Sequence, residues 1–207
     1  MGESLCYENS RRCELDANSS SKQLKAHPKS SLKLVQDAAN SKESIIIDIG
    51  GGDSVLVDYL LADGYTDITV LDISKHALHR AARRLGEKAS LVNWIESDIR
   101  DFSPKKSYAL WHDRAVFHFL TEPEDIQRYL DLVSHFVTGD LILATFSNEG
   151  PKRCSGLEVK QYDIKSLCSL LDSTFDLVES FTEDHITPFD TKQNFLFARF
   201  KRRQSVR

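Results

Sequence analysis

No apolar run in the sequence approaches the roughly 20 residues that a membrane-spanning helix needs. The first residues lack the apolar core of a secretion signal, and their acidic side chains argue against a mitochondrial transit peptide. Only four cysteines occur, without a C-x-x-C pair, so we expect free thiols in a reducing compartment. These absences predict a cytoplasmic protein with no membrane partner.

A strong charge of either sign is also absent. The net charge of -4 gives no reason to expect a nucleic-acid partner. The seven histidines show no H-E-x-x-H or comparable spacing, so we expect no metal site. The chain closes on a short basic tail, residues 204–207, whose expected state is solvated.

The chain divides by composition into an arm and one domain. Residues 1–30 are rich in Ser, Asn, Lys and Glu, which predicts a flexible N-terminal arm. Two interpretations of this arm stay open: a lid that orders over the ligands, and a tail without a role. Residues 31–203 have the length and apolar content of a single domain.

Strand-like and helix-like segments alternate from residue 44 onward. Residues 44–49 form a continuous β-branched run, typical of a strand buried on both faces. The alternation predicts an α/β fold with a doubly wound, mostly parallel seven-stranded sheet and helices on both faces. The last two strand-like runs, residues 176–182 and 194–200, are joined only by a loop. We therefore expect an antiparallel last strand at the sheet edge.

The first strand–helix turn carries the strongest functional signal. It reads Asp48-Ile49-Gly50-Gly51-Gly52-Asp53-Ser54. Three consecutive glycines let the backbone turn tightly and lie flush against a ligand, and ligands bind at this edge of open α/β sheets.

Two further acids follow the next two strands. Asp72 ends the second strand, where it can accept hydrogen bonds from both ribose hydroxyls. Asp98 ends the third strand, where it can accept from an adenine amino group. Ile73 and Ile99 follow these acids and can sandwich the adenine ring. The pattern predicts a nucleoside site.

The same turn favours S-adenosylmethionine over NAD. A dinucleotide-binding fold typically has the pattern G-x-G-x-x-G/A, with a small residue at the sixth position. Counted from Gly50, the sixth position here is Val55. Asp48 would sit poorly beside a pyrophosphate but well near the ammonium group of a methionine moiety. No Y-x-x-x-K pair is present, and there is no room for a second substrate domain.

Residues 44–200 resemble the class I, seven-strand S-adenosylmethionine-dependent methyltransferases. The turn matches the family's E/D-x-G-x-G-x-G, except that Ser54 replaces the final glycine. The resemblance implies S-adenosylmethionine as cofactor, with Asp72 as the ribose acid, Asp98-Ile99 as the adenine pair and an antiparallel final strand. Residues 111–121 and 150–157 look like a branch of small, mostly unassigned methyltransferases, which carries no substrate to transfer.

The end of the fourth strand is where acceptor and methionine moiety normally meet in this family. Asp113 is a candidate acceptor for the methionine ammonium group. Arg114 is a candidate for orienting an anionic acceptor, or alternatively a structural partner of Asp113. His118 is a candidate general base, or alternatively a satisfied core histidine.

The polar segment 147–162 is a candidate rim of the acceptor pocket. It contributes Arg153 and Cys154; thiol chemistry is conceivable for Cys154, but a bystander thiol fits as well. Two further residues are candidates for lining the mouth of the acceptor pocket: His185, expected in the final hairpin loop, and Gln193.

Several functions stay open at this stage. The leading hypothesis is a methyltransferase that acts on a small polar or anionic acceptor by in-line transfer. The alternatives are a protein lysine methyltransferase on the same fold and a non-catalytic S-adenosylmethionine-binding or scaffold protein, with NAD-dependent oxidoreduction last. The oligomeric state is open.

Overall fold

The structure is a computed structural model that describes residues 28–187 and 191–204. Its strands are β1 (Ile46–Ile49), β2 (Ile68–Asp72), β3 (Val92–Glu96), β4 (Tyr108–Arg114), β5 (Val137–Phe146), β6 (Arg153–Cys154), β7 (Leu157–Glu158), β8 (Phe175–Ile186) and β9 (Lys192–Arg202). Its α-helices are α1 (Lys29–Ala38), α2 (Leu56–Ala62), α3 (Lys75–Leu85), α4 (Pro123–Phe136) and α5 (Ile164–Leu171). Short 3₁₀ helices form at Gly86–Leu91 and Phe117–Phe119.

Seven strands form one sheet in the order β3-β2-β1-β4-β5-β9-β8. Strands β1 to β5 pair in parallel, and β9 runs antiparallel to both of its neighbours, β5 and β8. The predicted mostly parallel sheet with an antiparallel last strand is confirmed. Strand order reverses between β1 and β4, which is the point where such sheets bind their ligands.

Residues at the helix termini explain where the helices near this point begin and end. The Ser74 side chain caps α3 by accepting from the Ala77 N–H at 3.2 Å. Gly86 follows α3 with φ +60°, and Gly64 lies just beyond α2 with φ +87°; both values favour glycine. The helix α4 ends at Phe136, and β5 starts at the next residue without a loop.

Each face of the sheet has its own hydrophobic cluster. Helices α1, α2 and α3 cover one face, which we call the α1 face; α4 and α5 cover the other, the α4 face. Leu110 belongs to the α1-face cluster and Trp111 to the α4-face cluster. Because successive strand residues point to opposite faces, His112 and Arg114 project toward the α1 face and Asp113 toward the α4 face.

The predicted arm lies outside the described residues, apart from residues 28–30, and so does the tail from residue 205. Helix α1 begins at Lys29, within the last residues assigned to the arm. Among the described residues, no helix combines the length and the apolar character required to cross a membrane.

Candidate active site

The glycine turn between β1 and α2 is tied to the end of β2. The N–H groups of Gly50 and Gly51 donate to the Leu71 carbonyl at 2.7 and 3.3 Å. Gly50 has φ +71°, a conformation that disfavours other residues. A Cβ at Gly51 would collide with the Asp48 carboxylate, and one at Gly52 would lie 2.7 Å from Asp72 Oδ2. The packing of the turn therefore admits no side chain at these positions.

Asp72 lies directly beside this turn. Its Oδ2 accepts from the Gly52 N–H at 2.9 Å, and its Oδ1 accepts from the Ser74 N–H at 2.8 Å. Burial raises the pKa of Asp72, against the lowering effect of these two hydrogen bonds. Each carboxylate oxygen keeps a lone pair free for a ribose hydroxyl, since an ionised carboxylate offers about four acceptor sites.

The predicted adenine contacts have different environments. Ile73 is 60% exposed, so a planar base can cover its side chain, whereas Ile99 is 7% exposed and packs in the α4-face cluster. Asp98 accepts from the Arg100 guanidinium at 2.6 Å. Burial raises the pKa of Asp98, but the hydrogen bonds from Arg100 outweigh it and hold the pKa low. Ser54 Oγ accepts from the Leu56 N–H at 3.0 Å and so helps to start α2.

A buried carboxylate–imidazole pair joins β1 to β4. Asp48 Oδ1 lies 2.7 Å from His112 Nδ1, and both side chains are 2% exposed. Asp48 Oδ2 and His112 Nε2 have no hydrogen-bond partner among the described residues. The two residues are register partners on neighbouring parallel strands, which brings their side chains together on the α1 face.

Asp113 holds the turn that follows β4. Its Oδ1 accepts from the N–H groups of Val116 and Phe117 at 3.0 and 3.2 Å, and its Oδ2 accepts from the Tyr129 hydroxyl at 2.8 Å. Burial raises the pKa of Asp113 to about 6, while these hydrogen bonds lower it. The turn forces Ala115 to φ +69°, a strained value for a residue other than glycine. Because Asp113 is 0% exposed and its side chain is turned toward Tyr129 of α4, we do not place it in the proposed cofactor site.

Arg114 is a half-buried cation on the opposite face from Asp113. Its guanidinium lies 5.3 Å from the centre of the Phe195 ring. Within residues 28–187 and 191–204, no carboxylate lies within 4.0 Å of it. Burial lowers the pKa of Arg114, while the charges of Glu183 and Asp48 raise it. An anion that reached this guanidinium would find it desolvated and without a direct counter-ion.

His118 lies in the 3₁₀ turn after β4 and is fully buried. Its Nδ1 accepts from the Phe146 N–H at 3.2 Å, and its ring stacks on Phe146 with 4.3 Å between centroids. Burial lowers the pKa of His118 to about 4, so the ring is neutral and only weakly basic near neutral pH. This geometry supports the core-histidine interpretation.

The predicted rim residues divide into two groups. Arg153 is exposed and pairs with Glu158 at 3.7 Å across the β6–β7 hairpin, beside the half-buried Cys154. His185 lies within strand β8, so its placement in the hairpin loop was wrong. It pairs in register with Gln193, and its ring lies edge-on to Phe195 at 6.3 Å.

The comparisons with known proteins all point to methyltransferases. Residues 47–140 match the family model described as a methyltransferase domain. Malonyl-[acyl-carrier protein] O-methyltransferase 1 of Ilyobacter polytropus is 23% identical over 158 residues, covering 75% of this chain and 54% of that protein. Malonyl-[acyl-carrier protein] O-methyltransferase 2 of the same organism is 30% identical over 106 residues, covering 50% of this chain and 40% of that protein. The chain thus spans about half the length of the curated relatives it matches.

Solved structures show the same fold. N-methyltransferase NodS from Bradyrhizobium japonicum WM9, in complex with S-adenosyl-L-homocysteine, superposes with TM-score 0.72 at 19% identity, covering 96% of this chain and 98% of that one. The 1,6-didemethyltoxoflavin-N1-methyltransferase of Burkholderia thailandensis superposes with TM-score 0.71 at 17% identity, covering 98% and 90%. The matched domain model, the relatives and the shared fold support a class I S-adenosylmethionine-dependent methyltransferase.

The structure places the predicted residues on different faces of the sheet. Arg114 and His185 meet on the ring of Phe195, whereas Asp113 faces α4 and His118 is enclosed. Sequence reasoning missed His112, because its contact with Asp48 depends on the register between β1 and β4, which only the structure shows. The described residues contain no cluster of three or more potential metal ligands.

Proposed function

We propose that this chain transfers a methyl group from S-adenosylmethionine to a small polar or anionic acceptor. The observation that carries the donor half is the glycine turn bound to Asp72 at the point where strand order reverses. The observation that carries the acceptor half is Arg114, a half-buried cation beside Phe195. One relative is named for a carrier-bound malonyl group and one structural neighbour for a small molecule, 1,6-didemethyltoxoflavin. Both names support the same proposal.

The proposed cofactor residues lie in the glycine turn and at the ends of β2 and β3. Gly50, Gly51 and Gly52 bring bare backbone to the ligand, and Ser54 starts the helix behind it. Asp72 accepts from the ribose hydroxyls, and three further residues contact the adenine: Ile73, Asp98 and Ile99. When bound, S-adenosylmethionine supplies an electrophilic methyl group on a sulfonium centre. The chain has then to hold the acceptor in line, and such positioning can supply up to about 7–11 kcal/mol of rate acceleration.

Ligand-dependent thermal stability tests the donor half. We expect S-adenosylmethionine and S-adenosylhomocysteine to raise the melting temperature, because a ligand that binds only the native state stabilises it by mass action. NAD and NADP should leave the melting temperature unchanged. Stabilisation by NAD alone would overturn the cofactor assignment.

Labelled methyl transfer tests the acceptor half. The full chain is incubated with methyl-labelled S-adenosylmethionine and, separately, with metabolite extract and with protein lysate. Label in the small-molecule fraction supports the proposal. Label confined to lysine residues of the protein fraction favours the protein lysine methyltransferase. Cofactor binding without transfer in either fraction favours the non-catalytic alternative.

Arg114 is expected to determine acceptor affinity. Arg114→Ala should raise the acceptor's KM by roughly 10- to 100-fold, the scale of a lost hydrogen bond to a charged group. Arg114→Lys keeps the charge without the bidentate guanidinium. Its KM for the acceptor should therefore lie between those of the wild type and Arg114→Ala. The affinity for S-adenosylhomocysteine should not change in either variant. An unchanged KM in Arg114→Ala would remove the anionic-acceptor assignment.

A further inference from the structure

The buried pair formed by Asp48 and His112 has two unsatisfied polar atoms. Nδ1 and Oδ1 satisfy each other at 2.7 Å, while His112 Nε2 and Asp48 Oδ2 find no partner in the described part of the chain. Both side chains are 2% exposed. Buried polar groups are paired in the great majority of native structures, so two adjacent exceptions point to a ligand that pairs with them.

The carboxylate decides which nitrogen of His112 carries the proton. An ionised carboxylate only accepts hydrogen bonds, so Nδ1 donates its hydrogen to Asp48. In the neutral ring, Nε2 then carries the free lone pair. A carboxylate on one imidazole nitrogen also stabilises the imidazolium that forms when the other nitrogen takes up a proton. The pair is therefore arranged to accept a proton at Nε2.

His112 also lies between the two halves of the proposed site. Asp48 Oδ2 lies against Gly51 of the cofactor turn, where a Cβ would collide with it. Arg114 is two residues further along β4 on the same face, about 7 Å away by the strand repeat. An acceptor with its anionic group on Arg114 can therefore present an atom to Nε2. Because Nε2 is shielded from solvent, acceptor binding must displace side chains on the α1 face.

We propose that His112 Nε2 accepts the proton of the methyl acceptor and that Asp48 positions the ring. The inference rests on the proposed function and names its acceptor class: a small anion whose nucleophile, a hydroxyl or thiol, arrives protonated. The lone pair of that oxygen or sulfur bonds to the methyl carbon while the old carbon–sulfur bond breaks and its electron pair stays on the departing sulfur. The hydroxyl or thiol proton passes to Nε2, and the imidazolium later releases it to solvent.

Two substitutions at His112 separate proton transfer from packing. His112→Asn keeps a donor for Asp48 and removes Nε2, whereas His112→Gln puts a non-basic amide near Nε2. Both should lower kcat by about 10²- to 10⁴-fold, the usual contribution of a general base. The affinity for S-adenosylhomocysteine should stay unchanged. Both variants should remain folded, with a lower melting temperature where the buried ring is not fully replaced. The assay uses methyl-labelled S-adenosylmethionine with the small-molecule extract and with hydroxybenzoates and mercaptobenzoates as defined probes.

The pH profile distinguishes a base from a packing residue. The charged or titratable groups beside His112 are Asp48 on β1 and its neighbours on β4, Asp113 and Arg114. Helix α1 and strand β5 contribute apolar side chains to this face, Val35 and Ile142. In the wild-type chain, log kcat should rise with pH and then level off, because a general base takes up the acceptor proton only in its unprotonated form. In His112→Asn that plateau should disappear, because the rate then follows the ionisation of the acceptor itself.

Three outcomes decide the inference. Wild-type kcat in His112→Asn would overturn the role of His112 and leave methyl transfer standing. Nitrogen-15 NMR of the protein bound to S-adenosylhomocysteine should show hydrogen on Nδ1 of His112, and hydrogen on Nε2 would also overturn it. If the wild-type chain binds the cofactor but labels nothing in the extract or among the probes, the proposed function fails and the inference fails with it.

Discussion

Asp72→Ala is expected to weaken the binding of S-adenosylmethionine by roughly 1.5–3 kcal/mol, the scale of hydrogen bonds to a charged group. The loss has two sources: the ribose hydroxyls lose their acceptor, and the Gly52 N–H loses the partner that fixes the turn at 2.9 Å. Isothermal titration calorimetry of the folded variant measures the change. An unchanged affinity would remove Asp72 from the cofactor site.

Asp72→Asn is the matched control for this experiment. One amide oxygen still accepts from a backbone N–H, so the turn keeps part of its support, but the charge toward the ribose is gone. We expect an affinity between those of the wild type and Asp72→Ala. If the asparagine variant binds as weakly as the alanine variant, the charge rather than the turn geometry accounts for the loss.

The second large effect concerns the dependence of stability on pH. The pKa of Asp113 is about 6 in the folded chain, above the value near 4 of an unfolded aspartate. The folded state therefore binds this proton more tightly, and the stability it contributes is complete below about pH 4. That stability is lost as the pH rises through 6. The free energy of unfolding should fall by roughly 2–3 kcal/mol from this group between pH 4 and 7.

Asp113→Asn removes the titration and so isolates the effect. The amide oxygen can still accept from the Val116 and Phe117 N–H groups, and a changed contact with Tyr129 adds only an offset that does not depend on pH. Urea unfolding at several pH values should show the wild type losing stability relative to the variant as the pH rises. Tyr129→Phe should move the loss to higher pH, because the hydroxyl bond lowers the pKa. Parallel curves for wild type and Asp113→Asn would contradict the assignment.

The parts of the fold that depend on local rules could be predicted from the sequence. The buried run of β1, the Ser74 cap and the glycines after α2 and α3 all act within a few residues of themselves. The end of β8 escaped prediction for a physical reason. Its residues from Glu183 to Ile186 are mostly polar and partly exposed, so they lack an apolar alternation, and pairing with β9 is what makes them a strand.

In the candidate site, too, features set by local sequence could be predicted and contacts set by pairing between distant elements could not. The glycine turn and Asp72 follow strands directly, so their meeting at one sheet edge could be predicted. Asp48 and His112 are 64 residues apart in the sequence. Their contact depends on the register between β1 and β4, which no local pattern encodes. The structural role of Asp113 depends on its hydrogen bond from Tyr129 of α4. The sequence of β4 alone does not predict that contact.

The place of β9 between β5 and β8 has a consequence for how the chain is made. Strand β5 is buried from Asp140 to Phe146, yet its pairing partner β9 is synthesised only after residues 147–191. Until then β5 presents an apolar, unpaired edge, the kind of surface that templates aggregation. A nonsense mutation in the β8–β9 turn would leave both β5 and β8 without their partner. Such a product should be found in inclusion bodies or cleared by proteases, rather than persist as a soluble, inactive protein.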